Sequence, residues 1–431
     1  MPAFREHPLR QRLNDEVHSR PPMALSGAEW ISYLAVLHDG GDAATEEAHL
    51  HQLCGALGTQ LCPVIQGDHW MMEAGDLRLK WERHNEFSSY TFFRRRQPGD
   101  PLYTSALSAL PGDWLAGIPG TVMVATHIEL RPAADMAPEA VLADLAQRGD
   151  AVVATQVADN AAWVYSDFQL HDGYSRFLVL DDHLTHRQAG RTVQRLLEIE
   201  TYRMMALLAF PVAKEVGRFL ARAEGELADL MDRMGEARST EDERGLLTRL
   251  TRLAAEVERS VTRTAFRFGA AEAYYTLVQQ RIRDLREQRV PGFPPIQEFM
   301  ERRLAPAIST CLSVARRQTE LSTRIARKSA LLRTRVDIEL ERQNQELLTQ
   351  MNRRAKLQLR LQETVEGLSV VAITYYASQL VTYVYKGLKP VTGGPSYEAI
   401  TAIAVPVIGA LVAVSIRRMR KALAAEEEGL H

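Results

Sequence analysis

Apolar positions follow three different rhythms along this chain. Between residues 28 and 182 they come in short runs rich in Val, Tyr, Trp, Phe and Thr. Such runs predict strands at 30–37, 70–73, 77–84, 88–94, 121–130, 151–157, 161–169 and 176–180. Helical spacing predicts helices at 43–57 and 138–148, the second with Pro138 at its start. The short loop between 77–84 and 88–94 predicts an antiparallel hairpin. The expected class is α+β, with a mixed sheet in a 28–182 domain preceded by an arm of residues 1–27.

From about Thr185 the rhythm changes to steps of three and four, which predicts helix only. One segment covers 185–235 with a break at Pro211. A second covers 240–289, and Pro291, Pro294 and Pro295 end it. A third starts near Ile296, with a bend expected at Pro306. In that third segment Val314, Ile325, Val336 and Leu347 stand eleven apart, and Leu321 and Leu332 repeat the step. Eleven residues over three turns favours a straight or slightly right-handed coil. Residues 183–363 therefore read as a long-helix bundle or coiled-coil stalk, within one chain or between copies.

The third rhythm is unbroken hydrophobicity. Residues 368–385 and 399–416 are two runs of 18 without a charged side chain. At about 1.5 Å per residue each spans roughly 27 Å, close to a hydrocarbon core. Together they predict a transmembrane hairpin over 364–416; the alternative is a pair of buried core helices. Arg353, Arg354, Lys356 and Arg360 precede the first run. Arg417, Arg418, Arg420 and Lys421 follow the second, while the connecting loop holds only Lys386 and Lys389. Basic flanks stay on the cytoplasmic side. The expectation is an inner-membrane protein with both termini, the 417–431 tail included, in the cytosol.

Composition adds exclusions. In 431 residues, 52 basic and 54 acidic side chains leave a formal charge of −2, which argues against a nucleic-acid partner. Cys54, Cys62 and Cys311 are too few for a disulfide framework and suit a reducing compartment. The chain has no Walker A loop, dinucleotide fingerprint, H-E-x-x-H, C-x-x-C or G-x-S-x-G. Enzymatic chemistry thus has no support from motifs, and no cofactor is expected beyond a divalent cation.

Two groups carry candidate chemistry. Glu82, His84 and Glu86 alternate along a predicted strand, so all three face one way and would present a divalent-cation site. The bland alternative is a solvated face with an ion pair to Arg83 or its neighbours. Tyr375, Ser378, Gln379 and Thr382, with Tyr385, fall on one side of the first apolar run. They would line a pore in a ring of copies, or else pack helix against helix through hydroxyls. Asp181, Asp182, His183 and His186 at a strand end read chiefly as helix caps.

Four segments carry a family resemblance. They are His7-Pro8-Leu9-Arg10 with Leu13-Asn14, Glu16, His18 and Arg20-Pro21; residues 80–84 with Glu86-Phe87; residues 194–203; and residues 364–376. Together these resemble an uncharacterised bacterial family of membrane-anchored proteins, a domain of unknown function. The resemblance implies no activity. The order of parts is also similar to the CorA-type magnesium transporter plan. That family carries Gly-Met-Asn after its first span, where this chain reads Tyr385-Lys386-Gly387-Leu388-Lys389. The leading expectation is a homo-oligomer in the lipid bilayer whose first spans surround an ion path. Its rivals are a non-conducting tethered scaffold or sensor, and a membrane-bound metal-dependent enzyme.

Overall fold

The computed structural model describes residues 6–11, 13–14, 21–59, 65, 67–97, 105–148, 152–237, 239–392 and 396–428. Glu16, His18, Arg20 and Cys62 lie outside the described residues. Among the described residues, ten strands form one sheet: β1 (Glu29–Leu37), β2 (His69–Ala74), β3 (Leu77–Arg83), β4 (Phe87–Arg95), β5 (Thr121–Pro132), β6 (Val153–Val157), β7 (Ala162–Ser166), β8 (Leu170–His171), β9 (Tyr174–Asp181) and β10 (Gln288–Arg289). Their order is β10-β6-β7-β9-β5-β1-β4-β3-β2, with β8 added to β9. The β5–β9 pair is parallel and β3 and β4 form the expected antiparallel hairpin, so the sheet is mixed. β10 lies just before Pro291, in residues expected to continue the second helix to 289, and its two residues pair with Gln156 and Thr155.

The α-helices α1 (Ala43–Ala56), α2 (Gly112–Ala116) and α3 (Pro138–Arg148) accompany the strands. Then come α4 (His186–Leu207), α5 (Ala209–Glu236), α6 (Thr240–Leu285), α7 (Ile296–Arg303), α8 (Ala305–Thr392) and α9 (Tyr397–Glu428). The period of two on β1 sorts its side chains between two cores. Trp30, Leu34 and Val36 join Leu50 and Leu53 of α1. Ile31, Tyr33 and Ala35 join Val193 and Leu196 of α4, Ile282 of α6 and Met300 of α7. Full burial of one such aliphatic side chain is worth about 1.5–3 kcal/mol. The change at 182 is therefore one of secondary structure, not of packing.

Two helix breaks fall before a proline, not at it. α4 ends at Leu207 and α5 begins at Ala209, which puts Pro211 in the first turn of α5. α7 ends at Arg303 and α8 begins at Ala305, which puts Pro306 in the first turn of α8. A proline costs a helix little in its first turn, where the N–H has no partner, but removes a hydrogen bond from an interior turn. The chain therefore breaks two or three residues upstream of the expected kinks.

The chain divides into two compact units. The first comprises residues up to Arg238 with Gly245–Ser329; the second comprises Ser239–Arg244 with the chain from Ala330 onward. In the first, α5, α6 and the start of α8 are cross-linked by polar contacts. Arg317 Nε donates to Glu224 at 2.7 Å, and Gln318 Nε2 donates to Ser260 Oγ at 2.8 Å. The eleven-residue repeat is buried at Ile325 and Val336, whereas Leu347 is exposed. In the second unit Arg335 pairs with Glu243 at 3.2 Å. It also holds the two apolar runs, and α8 and α9 are both long and apolar enough to cross a membrane. Cys311 is a buried free thiol.

Candidate functional site

On β3, Leu79 and Trp81 enter the core shared with α1, which turns Lys80 and Glu82 to the opposite face. There β1 adds Tyr33, and β4 adds Phe87, Ser89, Thr91 and Phe93. Gly190, Val193, Gln194, Leu197, Glu198, Thr201 and Tyr202 cover them from one face of α4, as their three- and four-residue spacing requires. Arg281 of α6 and Met23 of the N-terminal arm complete the wall. The enclosed volume is about 280 Å3.

The charges inside are matched. Lys80 is buried, and its Nζ lies 3.1 Å from Glu82 and donates to the Pro21 carbonyl at 3.2 Å. Glu198 accepts from Gln194 Nε2 at 2.8 Å and from Arg281 Nε. Arg281 Nη1 in turn donates to Asp284 at 3.3 Å. Tyr33 and Thr201 share a hydrogen bond of 2.9 Å. Burial raises the Tyr33 phenol well above its ordinary range, so it stays neutral. Two cations against two carboxylates, with several hydroxyls and two phenylalanines, suit a small neutral or zwitterionic molecule.

A neighbouring cavity of about 620 Å3 shares His84, Phe87 and Tyr202 with this one and adds His38, Asp68, Arg83 and Tyr274. Beneath it lies a buried network that the sequence did not reveal. Glu46 of α1 accepts from Trp81 Nε1 at 3.2 Å, from Ser88 Oγ at 2.5 Å and from Arg83. Nothing in a polar first helical turn marks Glu46 as buried; only the docking of α1 on the β3–β4 hairpin does. His38 Nε2 sits 3.8 Å from Glu46, and burial, then the Arg83 charge, lowers its pKa.

The expected cation face does not form. β3 ends at Arg83, and residues 84–86 make the hairpin turn, closed by His84 N donating to the Phe87 carbonyl at 2.8 Å. Strand alternation therefore stops before His84 and Glu86. Glu82 pairs with Lys80, and the His84 ring stacks on Phe87 at 4.5 Å. Glu86 accepts from Arg267 and from the Tyr274 hydroxyl at 3.1 Å. Among the described residues no group of three or more His, Cys, Asp or Glu side chains is placed to hold a metal ion. Arg83 answers to Glu46, not to its sequence neighbours.

The hydroxyl side of the first apolar run turns toward α9. Thr382 Oγ1 lies 3.1 Å from Thr401 Oγ1, and Thr374 packs 3.5 Å from the Cβ position of Gly409. Ser378 is buried on the same face, while Tyr375 and Gln379 lie exposed at its edge. At the start of α4 the cap is Thr185, in a reciprocal box with Gln188, and Asp181 instead accepts from Leu184 N at 2.7 Å. Asp182 and His183 pair at the surface.

Two of the family-like segments, 80–84 and 194–203, thus meet at one cavity, and the arm that carries the first of the four closes it at Pro21 and Met23. None of the curated proteins and none of the solved structures matches this chain. A family model does match it, over residues 5–423, and the chain belongs to the family described as Protein of unknown function (DUF3422).

Proposed function

We propose that this protein is a membrane-tethered sensor: α8 and α9 anchor it through a two-helix hairpin, and the cavity under α4 binds a small polar solute. The observation that carries the reading is the convergence of β3, β4, α4 and the N-terminal arm on one charge-matched cavity. Support for the anchor comes from exposure. Leu368, Tyr376, Leu380, Ile403 and Leu411 are each more than 60 % exposed, which favours lipid as their solvent over a protein core. The Ser378 hydroxyl donates to the Tyr375 carbonyl of its own helix and the Thr382 hydroxyl meets Thr401 of the other, which favours packing over a pore.

The basic flanks support placing both termini in the cytosol of a bacterial inner membrane. Reporter fusions at each end should report the cytosolic side, and the full chain should stay in the membrane pellet after an alkaline wash. Native mass spectrometry of the purified chain should then reveal a bound small molecule that Lys80→Met and Glu198→Gln release. A soluble chain, or adducts untouched by those substitutions, would end the proposal.

The ion-conducting homo-oligomer of CorA-like topology keeps one observation in its favour. Tyr375 and Gln379 are exposed on the first apolar helix, and so are Leu347, Met351, Leu361 and Val365 before it. These would be covered by further copies. Mass photometry in detergent separates the readings, since a monomer excludes the ring.

A further inference from the structure

The chain Glu198–Arg281–Asp284 ends at a separate cavity of about 460 Å3. Arg191, Thr192 and Arg195 of α4 line it, together with Arg283 and Asp284 of α6 and Arg286 just beyond. Four guanidinium groups therefore face one carboxylate, and that carboxylate is already engaged by Arg281. Outside the lining, Asp159 pairs with Arg286 at 2.8 Å.

Helix stability does not account for this grouping. Arg283 stands in the last turn of α6, where the helix dipole favours a cation. Arg191 and Arg195 stand one turn apart on α4, past its first turn, where the dipole gives no support and like charges at this spacing repel. Burial lowers the pKa of Arg195; Asp284 counters this, while Arg191, Arg281 and Arg286 add to it. An arrangement so one-sided is stabilised by an anion. Planar guanidinium forks approaching from two helices match a tetrahedral oxyanion, which offers each fork a pair of oxygens.

We propose that this cavity is a phosphate site, in which Arg191, Arg195, Arg283 and Arg286 hold the phosphate group of a free solute or of a lipid headgroup. The proposal is independent of what fills the cavity under α4.

The test is calorimetric titration of the full chain in neutral detergent with inorganic pyrophosphate at constant ionic strength. The expected result is saturable binding at one site per chain, weakened at least tenfold in R191Q/R283Q. Both arginines are exposed, so the fold should persist, and tryptophan-monitored melting checks it. R195K, which keeps the charge but loses the fork, should fall between wild type and R195Q. A second arm dopes the micelles with phosphatidylglycerol. Competition with pyrophosphate assigns the site to a headgroup, and unchanged affinity assigns it to a free solute. Absence of saturable binding, equal affinity in R191Q/R283Q, or citrate binding as tightly as pyrophosphate would overturn the proposal.

Discussion

The carbonyl oxygen of Met23 lies so close over Gly190 that a Cβ built on that glycine would stand 1.7 Å from it. The N-terminal arm therefore crosses α4 at the one residue without a side chain, and Leu25 N anchors it by donating to the His186 carbonyl at 3.1 Å. Gly190→Ala should improve α4 as a helix by about 1 kcal/mol yet expel the arm. The clash should win, lowering stability by about 1–3 kcal/mol, as overpacked cores do. Limited proteolysis should then cut before Leu25 in the variant and spare the wild type; equal protection would refute the crossing.

Glu46 should be the most costly acidic residue to remove from the sheet unit. It is 3 % exposed and answers Arg83, Trp81 and Ser88 at once. Glu46→Ala strands a largely buried guanidinium and two donors, which costs about 2–4 kcal/mol because Arg83 retains some access to water. All five tryptophans lie between residues 30 and 163, so tryptophan fluorescence during urea unfolding reads this unit. A loss below about 0.5 kcal/mol, the level of an ordinary surface change, would contradict the network.

His127 should make the same unit acid-sensitive. Its Nδ1 lies 2.9 Å from Ser32 Oγ, and its ring stacks on Tyr174 at 4.1 Å. Burial, then the charge of Arg176, lowers its pKa to about 4. In the unfolded chain a histidine titrates near 6.5, so between those values the unfolded state binds more protons. Stability should be full above pH 6.5 and fall as pH drops toward 4, by on the order of 2–3 kcal/mol. His127→Gln should flatten that part of the urea-midpoint profile; an unchanged slope would place the acid sensitivity elsewhere.

The hairpin contact between Thr382 and Thr401 predicts a cross-link. Paired Thr382→Cys and Thr401→Cys, in a chain with Cys54, Cys62 and Cys311 replaced by Ser, should oxidise to an intramolecular disulfide in membranes. Tyr375→Cys, at the edge of that face, should instead link copies if the protein oligomerises. Thr382→Val alone should cost little, about 0.6 kcal/mol, as is usual for one hydrogen bond between helices in lipid. Failure of the first pair to cross-link would overturn the hairpin register.

Side-chain period and composition alone determined a good deal of this protein. They specified the mixed sheet, its β3–β4 hairpin, the long C-terminal helices and two runs apolar enough to cross a membrane. Those features depend on local alternation, which a chain carries wherever it goes. What only the tertiary structure decided is partnership. Lys80 reads as an ordinary strand charge and Glu82 as a cation ligand until α4 and Arg281 close over them, and Glu46 reads as surface until α1 docks. His84 and Glu86 followed the strand pattern in sequence but fall in a turn, because the chain reverses where β4 pairs back. Arg191 and Arg195 meet Arg283 and Arg286 from about ninety residues away, and no spacing rule reaches that far. Periodicity fixes which side of an element a group occupies; the packing of distant elements fixes what it meets there.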